Sequence, residues 1–221
     1  MEPEVTWYAQ SAVRIDAGGL RVYVDPYHLP ANQPPADVIL ISHEHGDHLS
    51  PDDLAQIRTP ATKVFASRLA AEQLEEPVEV LEPGQSAEFG GLRVRTIPAY
   101  TVSKLRPSGE PTHPKANGGL GLLLDLAEHS FYFAGDTDVV PEMAGIGPVD
   151  YAFLPVGGHY VMTPDEAAEA ARLVQPSIAV PVHYGLAAGT VEDAQRFADL
   201  VPDQVRVWIP TSASGQAPQS S

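Results

Sequence analysis

The hydrophobic pattern alternates between two kinds of segment. Residues 38–41, Val-Ile-Leu-Ile, form an unbroken apolar run that closes on Ser42, as a buried strand does. Residues 151–156 and 178–182 repeat the pattern. Other apolar stretches are shorter and flank glycine pairs. Residues 5–15 and 20–24 flank Gly18-Gly19, and residues 86–89 and 92–97 flank Gly90-Gly91, so each pair predicts a hairpin. Residues 120–126 and 130–134 flank Ala127-Glu128-His129 in the same way, and residues 63–66 and 205–209 predict two further strands.

Helix starts are marked by side chains that satisfy free backbone N–H groups. Ser50-Pro51-Asp52-Asp53 supplies an N-cap, a proline at N1 and acidic residues in the first turn. Ser67 predicts a cap for a helix reaching residue 75. Thr163-Pro164-Asp165-Glu166 reads as a capping box opening a helix to residue 174, and Thr190 caps another to residue 200. Hairpins followed by strand–helix units occur in each half of the chain. That order predicts an α/β (α+β) fold, a four-layer αββα sandwich in which two mixed β-sheets pack face to face with helices outside.

At 221 residues the chain is long enough for one multi-layer domain, placed at residues 1–210. Residues 211–221, rich in Ser, Gln, Ala and Gly, read as a disordered tail. Apolar content of 43% fits a soluble globular protein, and no apolar run approaches the roughly 20 residues that span a bilayer. The start, Met-Glu-Pro-Glu, lacks a basic segment, so no signal peptide and a cytoplasmic location are expected. With no cysteine, any metal must use His, Asp, Glu or water. The net charge of −16 argues against a nucleic-acid partner, because phosphate backbones need a basic footprint. A small-molecule substrate and no membrane partner are expected, and a homo-oligomer is left open.

The chemistry concentrates in His43-Glu44-His45-Gly46-Asp47-His48, directly after the apolar run. Loops at strand C-termini are where open α/β sheets place their ligands. Neutral imidazole nitrogen and carboxylate oxygen suit a d-block cation. His43 and His45, two apart, can point the same way, while Asp47 and His48 turn toward a second position, which suits two adjacent metals better than one. A histidine-rich surface loop is the plainer alternative.

Further strand ends carry ligand-type side chains. Asp136 closes the strand Phe131-Tyr132-Phe133-Ala134, and its two oxygens can bridge two cations. His183 closes residues 178–182. Asp25 closes Val22-Tyr23-Val24 and reads as a carboxylate holding the free N–H of a metal-bound histidine, with a plain turn Asp before Pro26 as the rival. His113 and His159 sit in loops from which either could reach the site. Lys104 and Lys115 could bind a substrate carboxylate or phosphate, or stand as solvated surface.

Together these residues resemble the metallo-β-lactamase fold, through His43-x-His45-x-Asp47-His48, then Gly135-Asp136-Thr137, then Pro181-Val182-His183. Within it the chain is most similar to compact metal-dependent hydrolases related to ascorbate-phosphate lactonase, through Ile97-Pro98-Ala99-Tyr100, His113-Pro114-Lys115 and Leu154-Pro155-Val156-Gly157-Gly158 as well. The resemblance implies two divalent metal ions, zinc by default with manganese as an alternative. It implies a metal-bound hydroxide attacking a small ester, lactone or phosphodiester. The metal ligands would be His43, His45, Asp47, His48, Asp136 and His183. Asp47, His159 and Tyr184 are expected in catalytic roles, with Tyr160 a further donor. One departure stands out: where much of the fold has another histidine after the middle strand, this chain has Thr101, and His113 is the expected substitute. An iron-dependent redox enzyme on the same fold and a non-catalytic metal-binding protein are the alternative readings.

Overall fold

A computed structural model describes residues 2–75, 77–186 and 188–210. The residues read as a disordered tail, 211–221, lie outside them. The first sheet contains β1 (Glu4–Trp7), β2 (Val13–Ala17), β3 (Leu20–Val24), β4 (Val38–Ile41), β5 (Lys63–Ala66) and β6 (Glu79–Val80), in that order. The second contains β7 (Ser86–Phe89), β8 (Leu92–Pro98), β9 (Leu120–Leu126), β10 (His129–Phe133), β11 (Val149–Pro155), β12 (Pro176–Val182) and β13 (Arg206–Val207), again side by side in chain order. Each sheet begins with antiparallel strands and continues with parallel ones. The change falls after β3 in the first sheet and after β10 in the second. Two mixed sheets with helices on their outer faces make the expected sandwich.

The period of two along each strand divides the core into layers. In β4, Val38 and Leu40 enter the apolar layer between the sheets, where they join Val22, Val24, Leu122, Leu124, Phe131 and Phe153. Ile39 and Ile41 point the other way, into the layer beneath α1 (Pro51–Ile57) and α2 (Arg68–Ala71), with Leu54, Ile57 and Ala70. In β12, Ile178 and Val180 face the central layer. Ala179 lies under α3 (Pro164–Val174) and α4 (Val191–Leu200), which contribute Ala167, Ala171, Ala194 and Phe197. Truncating one central side chain, Leu40→Ala for instance, would cost about 2–5 kcal/mol through lost burial and the cavity left behind.

Capping follows the local signals. Ser50 accepts from the Asp53 amide, and Thr163 with Glu166, like Thr190 with Asp193, forms a reciprocal box. The Gly18-Gly19 hairpin forms with both residues at positive φ, pairing Ala17 with Leu20.

Three expectations need correction. Residues 5–15 are two strands, because the chain turns through Tyr8 N–H to Ala12 O and Ala12 N–H to Ala9 O, with Gln10 at φ 47°. No glycine or proline marks that turn. The helix after Ser67 stops at Ala71, and the buried Ser67 hydroxyl makes no capping bond. The last strand is Arg206–Val207, shorter than the predicted 205–209, and the two-residue β6 carried no sequence signal.

Candidate metal centre

The loops after β3, β4, β10 and β12 converge at one end of the sandwich and bring together Asp25, the 43–48 segment, Asp136 and His183. Two of these strand ends leave by left-handed backbone, at Asp25 (φ 45°) and His183 (φ 59°). Such conformations persist in non-glycine residues only where the surroundings over-determine them. Asp25 N–H is held by Leu40 O at 2.9 Å and His183 N–H by Gln10 O at 3.0 Å. Gly135, at φ 67°, admits no side chain, since a Cβ there would lie 2.7 Å from the Leu120 carbonyl oxygen. The close approach it allows sets Asp136 at the centre of the cluster.

Two donor sets result. In the first, His113 Nε2 and His45 Nδ1 are 3.1 Å apart, His43 Nε2 and His45 Nδ1 are 3.2 Å, and Asp136 Oδ2 lies 3.1 Å from His113 Nε2 and 3.8 Å from His43 Nε2. In the second, His183 Nε2 is 3.4 Å from Asp47 Oδ2, and His48 Nε2 is 3.9 Å from it. Asp136 reaches this set too, with Oδ1 3.2 Å from His48 Nε2 and Oδ2 3.3 Å from His183 Nε2. A tetrahedral zinc with ligands at about 2.0–2.1 Å spaces those ligands by roughly 3.3 Å, so both sets have the right dimensions. Hydrogen bonding alone does not account for them. His48 Nε2 and Asp136 Oδ1 are buried and make no hydrogen bond despite their proximity, and His45 Nδ1 meets two ring nitrogens at once. A shared cation satisfies such inward-facing lone pairs.

Behind the donors lies a second layer of contacts. Asp25 Oδ2 takes the His48 Nδ1 hydrogen at 2.8 Å and the Ser42 hydroxyl hydrogen at 2.6 Å, while Oδ1 accepts from the Ser42 amide at 2.7 Å. That fixes which His48 nitrogen faces inward. Without metal, charge within the cluster is strongly redistributed. Burial alone would lower the pKa of His48, but Asp136 and Asp25 more than reverse this and hold it well above the usual imidazole range. His183 is likewise pushed up to about 9, by Asp136 and Asp47 against burial. His43 goes the other way, because burial and the neighbouring His48 charge both disfavour its cation. Burial would raise the Asp136 carboxyl, but the surrounding His183, His48 and His113 hold it well below the normal range. Burial is similarly outweighed at Asp47, which is lowered by its hydrogen bond to His183 and by the His48 charge.

Thr101, where the resemblance leads one to expect a histidine, is buried, and its hydroxyl lies 3.0 Å from the Thr112 hydroxyl. Its hydroxyl accepts from the His113 amide at 3.0 Å, and its own amide donates to His113 O at 2.9 Å. The structure thus brings His113 into the first donor set from the loop between β8 and β9.

Four expected residues are placed elsewhere. Tyr184 stacks on Trp7 at 5.5 Å and donates its hydroxyl to Pro210 O, so it is a packing residue turned away from the donors. His159 is exposed, packs edge-on against Tyr160 and does not line the cavity beside the cluster. Lys104 is neutralised internally, with Glu166 at 2.7 Å and Asp138 at 3.3 Å, because it clamps its loop to the N-terminus of α3. Lys115 pairs with Glu142 at 2.7 Å and lies over the Tyr100 ring. Neither ammonium faces the cavity. Sequence reasoning missed Arg106, which lines that cavity, and the role of Ser42. Arg106 lies between the two lysines in the same loop, where nothing local distinguishes the three cations.

The family model for the beta-lactamase superfamily domain matches residues 4–183. Known proteins agree along most of the chain. A UPF0173 metal-dependent hydrolase from Methanopyrus kandleri is 34% identical over 210 residues, covering 87% of this chain and 89% of its own length. The crystal structure of a candidate metal-dependent hydrolase from Parabacteroides distasonis superposes with a TM-score of 0.83 at 30% identity, over 93% of this chain and 91% of that one. A diiron β-hydroxylase from Streptomyces venezuelae, CmlA, shares the fold alone, with a TM-score of 0.75 at 18% identity, over 98% of this chain and 54% of that one. This chain belongs to the beta-lactamase superfamily and has the metallo-β-lactamase fold. Within that class it is a metal-dependent hydrolase, similar to the UPF0173 proteins.

Proposed function

We propose that this hydrolase works with two divalent cations, zinc by default and manganese as the alternative, held by donor sets that share Asp136. His43, His45 and His113 would complete one set, and Asp47, His48 and His183 the other. The observation that carries this reading is the placement of Asp136, whose Oδ2 meets His113 at 3.1 Å while its Oδ1 meets His48 at 3.2 Å. Cations held there would polarise a carbonyl or phosphoryl oxygen and lower the pKa of coordinated water toward about 7.

The chain's own residues supply orientation and proton handling. Asp25 and Ser42 lock the His48 ring. Asp47 is the partly exposed carboxylate of the cluster, 22% accessible, and with Oδ2 in the donor set its other oxygen can take the attacking water's proton and pass it to the leaving group. Tyr160 lines the same cavity and can donate its hydroxyl to a substrate oxygen. That cavity, about 470 Å³, falls within the range of small-molecule sites and suits a small ester, lactone or phosphodiester. Residues 1–210 act as one hydrolase domain in this reading, on a cytoplasmic small molecule rather than nucleic acid. Among the described residues no helix is long and apolar enough to cross a membrane.

Elemental analysis of the purified protein, followed by assays on a phenyl ester, a γ-lactone and bis(p-nitrophenyl) phosphate, tests the proposal. About two atoms per chain and hydrolysis of one substrate class are expected. A His183→Ala protein that keeps full metal content and full activity would overturn the assignment. Iron with a visible spectrum would favour the redox reading.

A further inference from the structure

We infer that Arg106 binds a carboxylate or phosphate on the substrate, so that the bond hydrolysed belongs to an anionic small molecule; the inference rests on the hydrolase reading above.

Three observations lead there. The cavity that exposes Asp47, His113, Asp136 and His183 is also lined by Arg106, the one lysine or arginine among its lining residues. The chain carries 29 acidic residues against 13 basic ones. Its neighbouring cations are consumed, Lys104 by Glu166 and Asp138 and Lys115 by Glu142, yet Arg106 makes no ion pair among the described residues. An unpaired guanidinium opening onto the donor cluster of so acidic a chain is free to receive an anion. A planar guanidinium presents a fork of donors that matches carboxylate or phosphate oxygens.

The fork is also held in place. Arg106 Nη2 donates to Thr112 O at 2.9 Å, the only side-chain hydrogen bond it makes among the described residues. The backbone around it is a tight turn, closed by Arg106 N–H to Glu110 O and Gly109 N–H to Arg106 O, both 2.8 Å. Thr112 in turn bonds Tyr160 O at 3.0 Å and precedes His113. Nε and Nη1 are thus left for a ligand on a support tied to the donor cluster, and pre-organisation of this kind reduces the entropy lost on binding. Two divalent cations would also outweigh the charges of Asp47 and Asp136. The cavity would then be electropositive within a chain whose net charge of −16 otherwise repels anions.

The test compares wild type, Arg106→Ala and Arg106→Lys on paired substrates differing only in a free anionic group, such as phenyl acetate, the phenyl hemiester of succinate and a phosphate-bearing phenyl ester. Arg106→Ala should lower the anionic-over-neutral ratio of kcat/KM by about 10–100-fold, mostly through KM, with partial recovery in Arg106→Lys. Whichever anionic substrate shows the larger loss identifies the group as carboxylate or phosphate. A structural role in holding His113 would instead lower kcat and metal content for all substrates alike, and would overturn the proposal. A second readout is independent of catalysis: titration of the zinc-loaded protein with succinate or inorganic phosphate, following the Arg106 Nε–H resonance by NMR. A saturable shift with either anion supports the assignment even if no hydrolysis is found, in which case the hydrolase reading alone fails. A resonance unmoved by both anions marks Arg106 as solvated surface.

Discussion

Thr101 and His113 are joined in both directions, the amide of Thr101 donating to His113 O at 2.9 Å and the amide of His113 donating to the Thr101 hydroxyl at 3.0 Å. Thr101 therefore holds the backbone of the histidine that enters the first donor set. Thr101→Val keeps the shape but removes the acceptor and strands a buried amide. It should cost about 1–3 kcal/mol in denaturant unfolding. Metal affinity should fall about 10-fold or more, since the supporting contact of a donor is lost. Thr101→Ser should restore both. Wild-type metal affinity in Thr101→Val would show that the loop holds His113 without this contact.

His113→Ala tests the donor itself. Removing one imidazole of the first set should reduce bound metal by about one atom per chain, leaving the set of Asp47, His48 and His183 filled. Elemental analysis after dialysis gives the count directly. Unchanged stoichiometry would mean that His113 stands beside the site without ligating.

Asp25→Asn alters no donor but changes what holds His48. An amide nitrogen at the Oδ2 position would donate toward His48 Nδ1 and can accept from neither His48 nor the Ser42 hydroxyl, whereas the opposite flip sets that nitrogen against the Ser42 amide, so one orientation or the other loses a buried contact. A loss of about 10–100-fold in metal affinity or in activity is expected, measurable by competition with a chromophoric chelator. A variant matching wild type in both would reduce Asp25 to a turn residue.

Metal-free protein should have a stability optimum in mildly acidic solution. His183, with its folded pKa near 9, contributes stability that is complete below its unfolded value of about 6.5 and is lost as pH rises through 9. His48 acts in the same direction. Asp136 and Asp47, depressed on folding, contribute stability present above about 3.9 and lost as pH falls through their folded values. Melting temperature after chelation should peak between these limits. Metal binding displaces the histidine protons, so added zinc should stabilise more as pH rises from 5 to 8 and should release protons in unbuffered solution. A stabilisation by zinc that does not change across that range would contradict the assigned ligands.

The sequence by itself determined whatever depends on residues a few positions apart. The apolar run at Val38–Ile41, the Gly18-Gly19 hairpin, the Thr163 and Thr190 capping boxes and the donor-rich segment from His43 to His48 are all of this kind. Asp136 and His183 were legible because each ends an apolar strand with a side chain that seldom follows one without a reason. Tertiary structure alone decided which loop residues face the cluster. His113 meets His45 across 68 positions, and Lys104 is withdrawn from the cavity by Glu166 across 62. In sequence Lys104, Arg106 and Lys115 are equivalent cations on one loop, and Tyr184 is as suitable a donor as Tyr160. Ion pairs and packing partners from distant segments separate them, and the energies of those contacts exist only once the two sheets have closed on each other.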